Sequence, residues 1–385
     1  MKYLDISEEK LTTLGGFWTA KEISQQPTSW LNAQGIIEKN ASTIEAFLAP
    51  LIADSDLRII LTGAGTSAFA GGSIAPALSE KLNRTVEAIA TTDIVSNPSQ
   101  FLLKDKPTLV VSFARSGNSP ESVTAVEIAS ELVTNCYHLV VTCNESGLLF
   151  KHCQNNDKCL AILMPAETND QSFAMTSSFT SMMFTALTVL TKNEDLAKNA
   201  QLIGDSAQQV INQYNDLLKS MANRKYSRVV FLGSGGLKAL AEESALKLLE
   251  LTDGQTVAVY DSPLGFRHGP KTIVNSDTLV VIYMSNDSYT RKYDLDLLAE
   301  LRNDGEVGQV VAITTQKDAS IDGDHIFINH DAALTDSLLI FPYIVCAQIY
   351  AFHHALALQN KPDTPSVSGT VNRVVQGVII HPLNA

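Results

Sequence analysis

A pattern that occurs in both halves of the chain constrains the fold most strongly. An arginine, a short apolar run, a Gly-x-Gly turn and a helical segment follow one another at Arg58–Thr66 and again at Arg228–Gly236. Around each copy, short β-rich runs alternate with segments of helical length, which is typical of a parallel sheet covered by helices on both faces. We therefore predict an α/β protein built from a duplicated unit.

The β-rich runs recur along both halves, and a long apolar stretch follows each set. Strands are predicted at Arg58–Thr62, Thr85–Thr91, Thr108–Ser112, Tyr137–Thr142 and Cys159–Met164, then from Arg228 and at Thr256–Tyr260, Thr278–Met284, Gln309–Thr314 and His325–Ile328. A helix at Gln171–Leu190 is predicted to close the first half. A second at Asp336–Gln359 is apolar on most faces, so we expect it to be buried.

The patterns divide the chain into a helical leader, two domains and a tail. The predicted bounds are 1–50 for the leader, 51–200 and 215–360 for the domains and 361–385 for the tail. The leader carries no strand signal, and Pro27 is expected to break its helical pattern. The polar stretch Lys192–Leu202 is the predicted linker region, and Val374–Ile380 is a β-like run in the tail.

Composition excludes several classes of function. The net charge of −13 would repel nucleic acid over most of the surface, so no nucleic-acid partner is predicted. Apolar runs stay short of the roughly 20 residues that cross a bilayer. Met1–Lys10 shows no apolar signal-peptide core. These observations predict a cytoplasmic protein with no membrane partner.

The five cysteines are expected to be buried thiols in a reducing compartment, since they form no C-x-x-C pair. His152, Cys153 and Cys159 are close enough in sequence to suggest a metal site as an alternative, but the pattern is weak. Neither a metal nor a cofactor is predicted.

Two turns have the composition of a phosphate site. Leu61–Ser67 and Ser112–Pro120 each follow an apolar run and precede a helix, where backbone N–H groups and the helix dipole favour an anion. The side chains that would add donors or positive charge are Thr66, Ser67, Arg115, Ser116 and Ser119.

Both turns allow other interpretations. Gly63–Ala68 fits the G-x-G-x-x-G/A dinucleotide pattern, but the acidic residue expected about 20 residues further on is missing there. The same glycines could serve only to pack a strand tightly against a helix. Ser119 could be an ordinary N-cap before Pro120.

Acid–base residues occur in two further places. Glu243, Lys247 and Glu250 share one helix face within an apolar sequence, and buried carboxylates make usable general bases. A solvated salt-bridge face is the alternative. His268 lies on a loop with glycine and proline, where catalytic residues concentrate, although the motif taken alone favours a plain surface histidine.

Together these motifs resemble the sugar isomerase (SIS) family. The resemblance rests on Gly65-Thr66-Ser67, Ser116–Ser119, Ala245–Glu250 and Arg267–Pro270, in this order. The arrangement is similar to the isomerase half of glucosamine-6-phosphate synthase, from roughly Leu51 to the C-terminus. Segments that resemble the AgaS type, a subgroup associated with galactosamine-6-phosphate deamination, are Gly15–Ala20, Ser112–Ser122, Met175–Phe179 and Val371–Gly377.

The resemblance implies two SIS domains, each with a five-stranded parallel sheet between helical layers. It also implies a homodimer or a dimer of dimers, with sites near the subunit interface. The phosphate would be held by Gly65, Thr66, Ser67, Ser116 and Ser119, with Arg115 beside them. Thr176 would lie in the segment that lines the sugar pocket.

The same resemblance assigns the chemistry. Glu250 matches the carboxylate that moves a proton between C1 and C2 of the sugar, and His268 matches a ring-opening histidine of the same or the second subunit. Lys247 and Glu243 match polar residues beside that base. No metal or redox cofactor is implied, because an aldehyde already acidifies the C2 proton.

Two positions depart from the synthase pattern. Ala114 replaces the first serine of its phosphate loop, and Gln376 falls near its Schiff-base lysine. The nearest upstream lysine, Lys361, lies outside the matching motif, so a covalent imine is not predicted.

The function predicted from these residues is conversion of D-galactosamine 6-phosphate to D-tagatose 6-phosphate and ammonia, in amino-sugar catabolism. A ketose/aldose phosphate isomerase without deamination would use the same base. A non-catalytic sugar-phosphate sensor would need only the two turns.

Overall fold

A computed structural model describes residues 1–191, 194–328, 334–375 and 377–383. Within these ranges it contains two five-stranded parallel sheets and one antiparallel hairpin. The strands are β1 (Lys2–Tyr3), β2 (Ile6–Ser7), β3 (Arg58–Thr62), β4 (Val86–Ala88), β5 (Thr108–Ala114), β6 (Cys136–Thr142), β7 (Cys159–Leu163), β8 (Arg228–Gly233), β9 (Val257–Asp261), β10 (Thr278–Tyr283), β11 (Gln309–Thr314) and β12 (His325–Phe327).

Helices flank both sheets. They are α1 (Glu8–Leu14), α2 (Phe17–Lys39), α3 (Ala41–Ala53), α4 (Thr66–Leu82), α5 (Thr91–Ser96), α6 (Pro98–Phe101), α7 (Pro120–Leu132), α8 (Leu148–His152), α9 (Ser177–Thr191), α10 (Glu194–Gln209), α11 (Asn215–Ala222), α12 (Gly236–Leu251), α13 (Pro263–Phe266), α14 (Thr290–Asp304) and α15 (Asp336–Ala357). The predicted fold class, a duplicated α/β unit with two parallel sheets, is confirmed.

The chain divides into two compact units. The N-sheet unit comprises Thr28–Asp170, Ser177–Ala200 and Thr370–Ala385, and the C-sheet unit comprises Met1–Pro27, Gln171–Thr176 and Gln201–Gly369. Each unit contains one five-stranded sheet.

In the N-sheet unit the strand order is β4-β3-β5-β6-β7. All seven residues of β5 are buried, because a central parallel strand is covered on both faces and therefore requires a continuous apolar run. Ile60 and Val110 pack on one face against Ile94 of α5 and Ala125 of α7. The register pairs Thr62 with Ser112, so β3 and β5 end side by side.

In the C-sheet unit the order is β12-β11-β10-β8-β9. Val230 and Ile282 form a core with Leu297 and Leu301 of α14. The long helix α15 contacts α11 and α12. Its length and apolar composition would allow it to cross a membrane, but its apolar stretch is buried inside the protein, as predicted for a core helix.

The leader differs from the prediction in two ways. Helix α2 continues through Pro27 although proline lacks the N–H that would bond the carbonyl of Ile23. Gln26 supplies the missing donor, since its Nε2 lies 3.0 Å from that carbonyl oxygen. The β1–β2 hairpin was not predicted, because its turn places Leu4 and Asp5 at positive φ without the Asn-Gly sequence that favours such turns.

The linker prediction is wrong in its described part. From Glu194 onward the chain forms α10, and buried Ala200, Ile203 and Ala207 recur there at helical spacing. Lys192 and Asn193 lie outside the described residues. In the tail, the described residues of Val374–Ile380 form no strand, and Gln376 lies outside the described residues.

The prediction of five free thiols is also wrong. Cys153 and Cys159 form a disulfide, with their Cα atoms 4.8 Å apart. Cys136, Cys143 and Cys346 are buried free thiols, as expected for small apolar side chains.

Candidate active site

The first candidate phosphate turn links β3 to α4. Gly65 is the N-cap of α4 and has φ +55°, a conformation that favours glycine. A Cβ on Gly63 would lie 2.5 Å from the Cβ of Ser67, so the close return of the chain also requires glycine there. Thr66 and Ser67 follow at the first helical positions and are largely buried. The turn therefore places two hydroxyl side chains at a helix N-terminus.

The second turn, between β5 and α7, is held in shape by the segment that follows β6. Asn144 donates from Nδ2 to the Ser116 carbonyl oxygen at 2.7 Å, and the Leu149 N–H donates to the Gly117 oxygen at 3.1 Å. Ser119 is at the N-cap position, but its Oγ donates to Ser122 Oγ at 2.6 Å. Because β3 and β5 end side by side, both turns lie at the carboxyl ends of neighbouring strands.

Arg115 is buried and linked to the tail. Its Nη2 donates to the backbone oxygen of Arg373 at 2.7 Å. Arg373 in turn donates from Nε to the backbone oxygen of Asp170 at 3.0 Å. Asp170 accepts from the Ser178 N–H at the start of α9. These bonds attach the tail of the N-sheet unit to its second candidate phosphate turn.

The three acid–base residues on α12 come together as predicted. Lys247 is fully buried, and its Nζ lies 3.5 Å from Glu243 Oε1 and in contact with Glu250 Oε2. Glu243 is also fully buried, whereas the Glu250 side chain is 23% exposed. The solvated salt-bridge interpretation is therefore wrong for this face. One ammonium group positions two carboxylates, and Glu250 is the one that a solute can reach.

His268 is exposed on the loop between α13 and the following 3₁₀ turn. The backbone N–H of His268 donates to the carbonyl oxygen of Gly265 at 2.9 Å, and the next residue, Gly269, has φ +118°. Thr176 is buried and directly precedes α9. The turns and Arg115 belong to the N-sheet unit, while the α12 cluster, Thr176 and His268 belong to the C-sheet unit.

The C-sheet unit repeats the geometry of the first turn, but a carboxylate of the same unit is bonded to it. Gly235 has φ 57° and ψ −128°, against 55° and −127° at Gly65. Asp294 of α14 accepts from Ser234 Oγ at 2.8 Å and from the Ser285 N–H at 2.9 Å. Ser234 and Ser285 follow the neighbouring strands β8 and β10. A carboxylate of the same unit thus bonds a hydroxyl of this turn and a backbone N–H that follows the neighbouring strand.

Asp294 gives this arrangement a pH dependence that can be measured. Burial raises its pKa to about 6 from the ordinary 3.8, and the bonds from Ser285 and Ser234 lower it less. A raised folded pKa stabilises the fold below pH 3.8, and this contribution is lost as the pH rises through 6. Wild type should therefore lose about 3 kcal/mol of unfolding free energy between pH 4 and 7, relative to Asp294→Asn. Urea denaturation of both proteins across this range tests it, and a constant difference would contradict it.

Asp294 and Asn144 were not predicted from the sequence. Each forms a hydrogen bond with a turn that lies far away along the chain. Only the pairing of β8 with β10, and of β5 with β6, brings these contacts together. The Asp in α14 carried a helix-surface pattern and no other signal.

Comparisons with known proteins give consistent results. The SIS domain model matches residues 51–192 and 221–359. The D-galactosamine-6-phosphate deaminase AgaS of Escherichia coli is 48% identical over 372 residues, 96% of this chain and 97% of that protein. The deaminase of the same name from Shewanella sp. (strain ANA-3) is 46% identical over 380 residues, 98% and 95% of the two chains. The crystal structure of tagatose-6-phosphate ketose/aldose isomerase from Escherichia coli aligns with a TM-score of 0.90 at 45% identity, covering 96% and 98%.

Proposed function

This chain belongs to the SIS family, and we propose that it is an isomerising deaminase that converts D-galactosamine 6-phosphate and water to D-tagatose 6-phosphate and ammonia. The observation that carries the proposal is the α12 cluster, in which Lys247 lies between buried Glu243 and accessible Glu250. A sensor needs only the phosphate turns and has no use for such a base. The substrate is inferred from the two deaminases that match nearly the whole chain.

In the proposed mechanism the two turns of the N-sheet unit hold the phosphate. The donors are the hydroxyls of Thr66, Ser67 and Ser116 and the backbone N–H groups at the starts of α4 and α7, and the Ser119 hydroxyl joins them by turning from Ser122 Oγ to the phosphate. Arg115 adds positive charge beside the second turn. Phosphate binding is the same in the ground and transition states, so this part of the site supplies affinity and position.

The chemical steps are assigned to Glu250 and His268. His268 assists ring opening, which gives the free aldehyde at C1 and makes the C2 proton acidic. Glu250 removes that proton to give an enolamine and returns a proton to C1, which leaves a 2-imino sugar. Water adds at C2 and ammonia leaves, so the product is the 2-ketose. Lys247 holds the Glu250 carboxylate in place throughout.

Replacement of Ser116 with alanine is expected to raise KM about 10- to 100-fold with little change in kcat. A hydrogen bond to a charged group contributes about 1.5–3 kcal/mol, and a phosphate contact present in both states affects KM. Steady-state kinetics measures both constants. Ser146→Ala, at an exposed position in the same unit, is the control. An unchanged KM in Ser116→Ala would argue against a phosphate role for this hydroxyl.

The direct test is ammonia release from the purified protein with galactosamine 6-phosphate. Glucosamine 6-phosphate, which differs at C4, tests the epimer, and N-acetylgalactosamine 6-phosphate is the negative control. Rapid release from the first substrate alone supports the proposal. Failure to release ammonia from either amino sugar would overturn it.

A second candidate is a ketose/aldose isomerase without deamination, favoured by the name of the similar Escherichia coli structure. Interconversion of tagatose 6-phosphate and galactose 6-phosphate, without ammonia release from amino sugars, would identify it. Homodimerisation and a cytoplasmic location remain predictions. Light scattering of the purified protein tests the first, and fractionation of cells tests the second.

A further inference from the structure

The segment between β6 and β7 connects the phosphate turn to the disulfide. At its start, Asn144 Nδ2 donates to the Ser116 oxygen, and the Leu148 N–H donates to Asn118 Oδ1 at 3.0 Å. At its end, Cys153 follows the last residue of α8, and its disulfide partner Cys159 is the first residue of β7. The five-residue helix α8 is therefore attached to the phosphate turn at one end and to the sheet edge at the other.

Helix α8 makes further contacts, among them the His152 ring edge-on to His138, with centroids 5.9 Å apart, and the Cys153 oxygen, which accepts from the Asn156 N–H at 3.4 Å. Leu149 packs with Val126 and Val140, and it also donates its N–H to the Gly117 oxygen. A single helical turn is unstable alone, because nucleation costs more than its few internal hydrogen bonds return. Its position therefore depends on the contacts at both of its ends.

We propose that Cys153–Cys159 is a redox modification site, acted on by a dithiol reductant, that sets the affinity of the phosphate turn for sugar phosphates. The role of the turn in phosphate binding is that of the proposed function. In the oxidised form the disulfide fixes the end of α8 and, through it, the carbonyls of Ser116 and Gly117. In the reduced form the end of α8 is released, and the turn has more conformations to lose on binding.

Thiol–disulfide exchange between the dithiol and Cys153–Cys159 needs no other reactant. A thiolate of the dithiol attacks one sulfur of the protein disulfide, and the other protein sulfur leaves as a thiolate. The second thiol of the reductant then displaces the first protein sulfur from the mixed disulfide. The protein gains two electrons and two protons, and the reductant becomes a disulfide. Oxidation of the two protein thiols by a small disulfide is the reverse reaction.

The surroundings of this pair suit such chemistry. Cys153 is half-buried, so a small reductant can reach it. Lys151 lies two residues before Cys153 and Lys158 directly before Cys159, and positive charge near a thiol favours the reactive thiolate. The other cysteines are different, since burial raises the pKa of Cys136 and of Cys143 to about 12. Those thiols stay protonated and inert.

The first test compares oxidised and reduced protein. Thiol titration under denaturing conditions should count three thiols in the oxidised form and five in the reduced form. Reduction should raise the KM for galactosamine 6-phosphate by about 3- to 10-fold and change kcat by less than about twofold, as expected for a loss of preorganisation. Cys159→Ser should have the higher KM that is expected of the reduced wild type, and adding the reductant should not change it. Cys136→Ser, the matched control, should respond as wild type does.

A second readout needs no turnover. Inorganic phosphate should slow hydrogen exchange of the amides at 116–119 at a lower concentration in the oxidised form than in the reduced form. If this difference is present without ammonia release, the redox site stands and the proposed function fails. Equal KM and equal phosphate protection in the two forms would overturn the redox proposal, as would five titratable thiols after oxidation.

Discussion

Replacement of Glu250 with glutamine is expected to lower kcat by about 10²–10⁴-fold, the usual effect of losing a general base. Glutamine preserves the size of the side chain and can still accept a hydrogen bond from Lys247, but it cannot take the C2 proton. KM should change little, because the proton is transferred only in the transition state. The measurement is steady-state ammonia release, supported by solvent-deuterium incorporation at C1 of the product.

The matched control for this variant is Glu242→Gln. Glu242 is on the same helix, and its carboxylate contacts Tyr260. We expect near-normal kcat in the control and an unchanged fold in both variants, as judged by circular dichroism. Near-normal turnover of Glu250→Gln would remove Glu250 from the mechanism while leaving the α12 ion pairs as a structural feature.

Replacement of Lys247 with alanine is expected to destabilise α12 by about 3–5 kcal/mol, the usual cost of breaking a buried ion pair on one side. The Glu243 carboxylate is fully buried and would lose the ammonium group 3.5 Å away. Native-state hydrogen exchange of the α12 amides measures the local opening free energy directly.

A double variant distinguishes the lost charge from the lost packing. Lys247→Met with Glu243→Gln removes both charges and keeps two side chains of similar size, so most of the stability should return. Glu250 would then lack its cationic neighbour, and we expect kcat to stay low in this stable protein. A Lys247→Ala variant with exchange rates like those of wild type would contradict the ion-pair interpretation.

The sequence predicted the sheets well because their signal is local. A buried parallel strand needs a continuous run of β-branched and apolar residues, and Thr108–Ala114 and Gln309–Thr314 are such runs. The SIS resemblance, confirmed by the family match and the full-length relatives, came from short local motifs, some of them turns whose glycines are required by the backbone. Gly63 and Gly65 are examples, since one has no room for a Cβ and the other has positive φ.

The features that the sequence did not predict depend on contacts that form only in the fold, or on a local irregularity for which another side chain compensates. Pro27 looks like a helix break until Gln26 is seen to bond the vacant carbonyl. Cys153 and Cys159 have no C-x-x-C spacing and suggested at most a weak metal site, whereas in the structure the short α8 and the edge strand β7 bring them together as a disulfide. The roles of Glu250, His268 and Thr176 are still predictions, because they are assigned by the resemblance to the SIS family.

Because Asp294 is bonded to only one of the two Gly-x-Gly turns, the two turns differ in whether they need a bound substrate. The copy in the C-sheet unit is complete at every moment, since its anion is part of the chain. Under the proposed function, the copy in the N-sheet unit is complete only while sugar phosphate is bound, and its stability then rises with ligand concentration. A cell that runs short of amino sugar would therefore hold enzyme molecules that are loosened in one half and unaltered in the other.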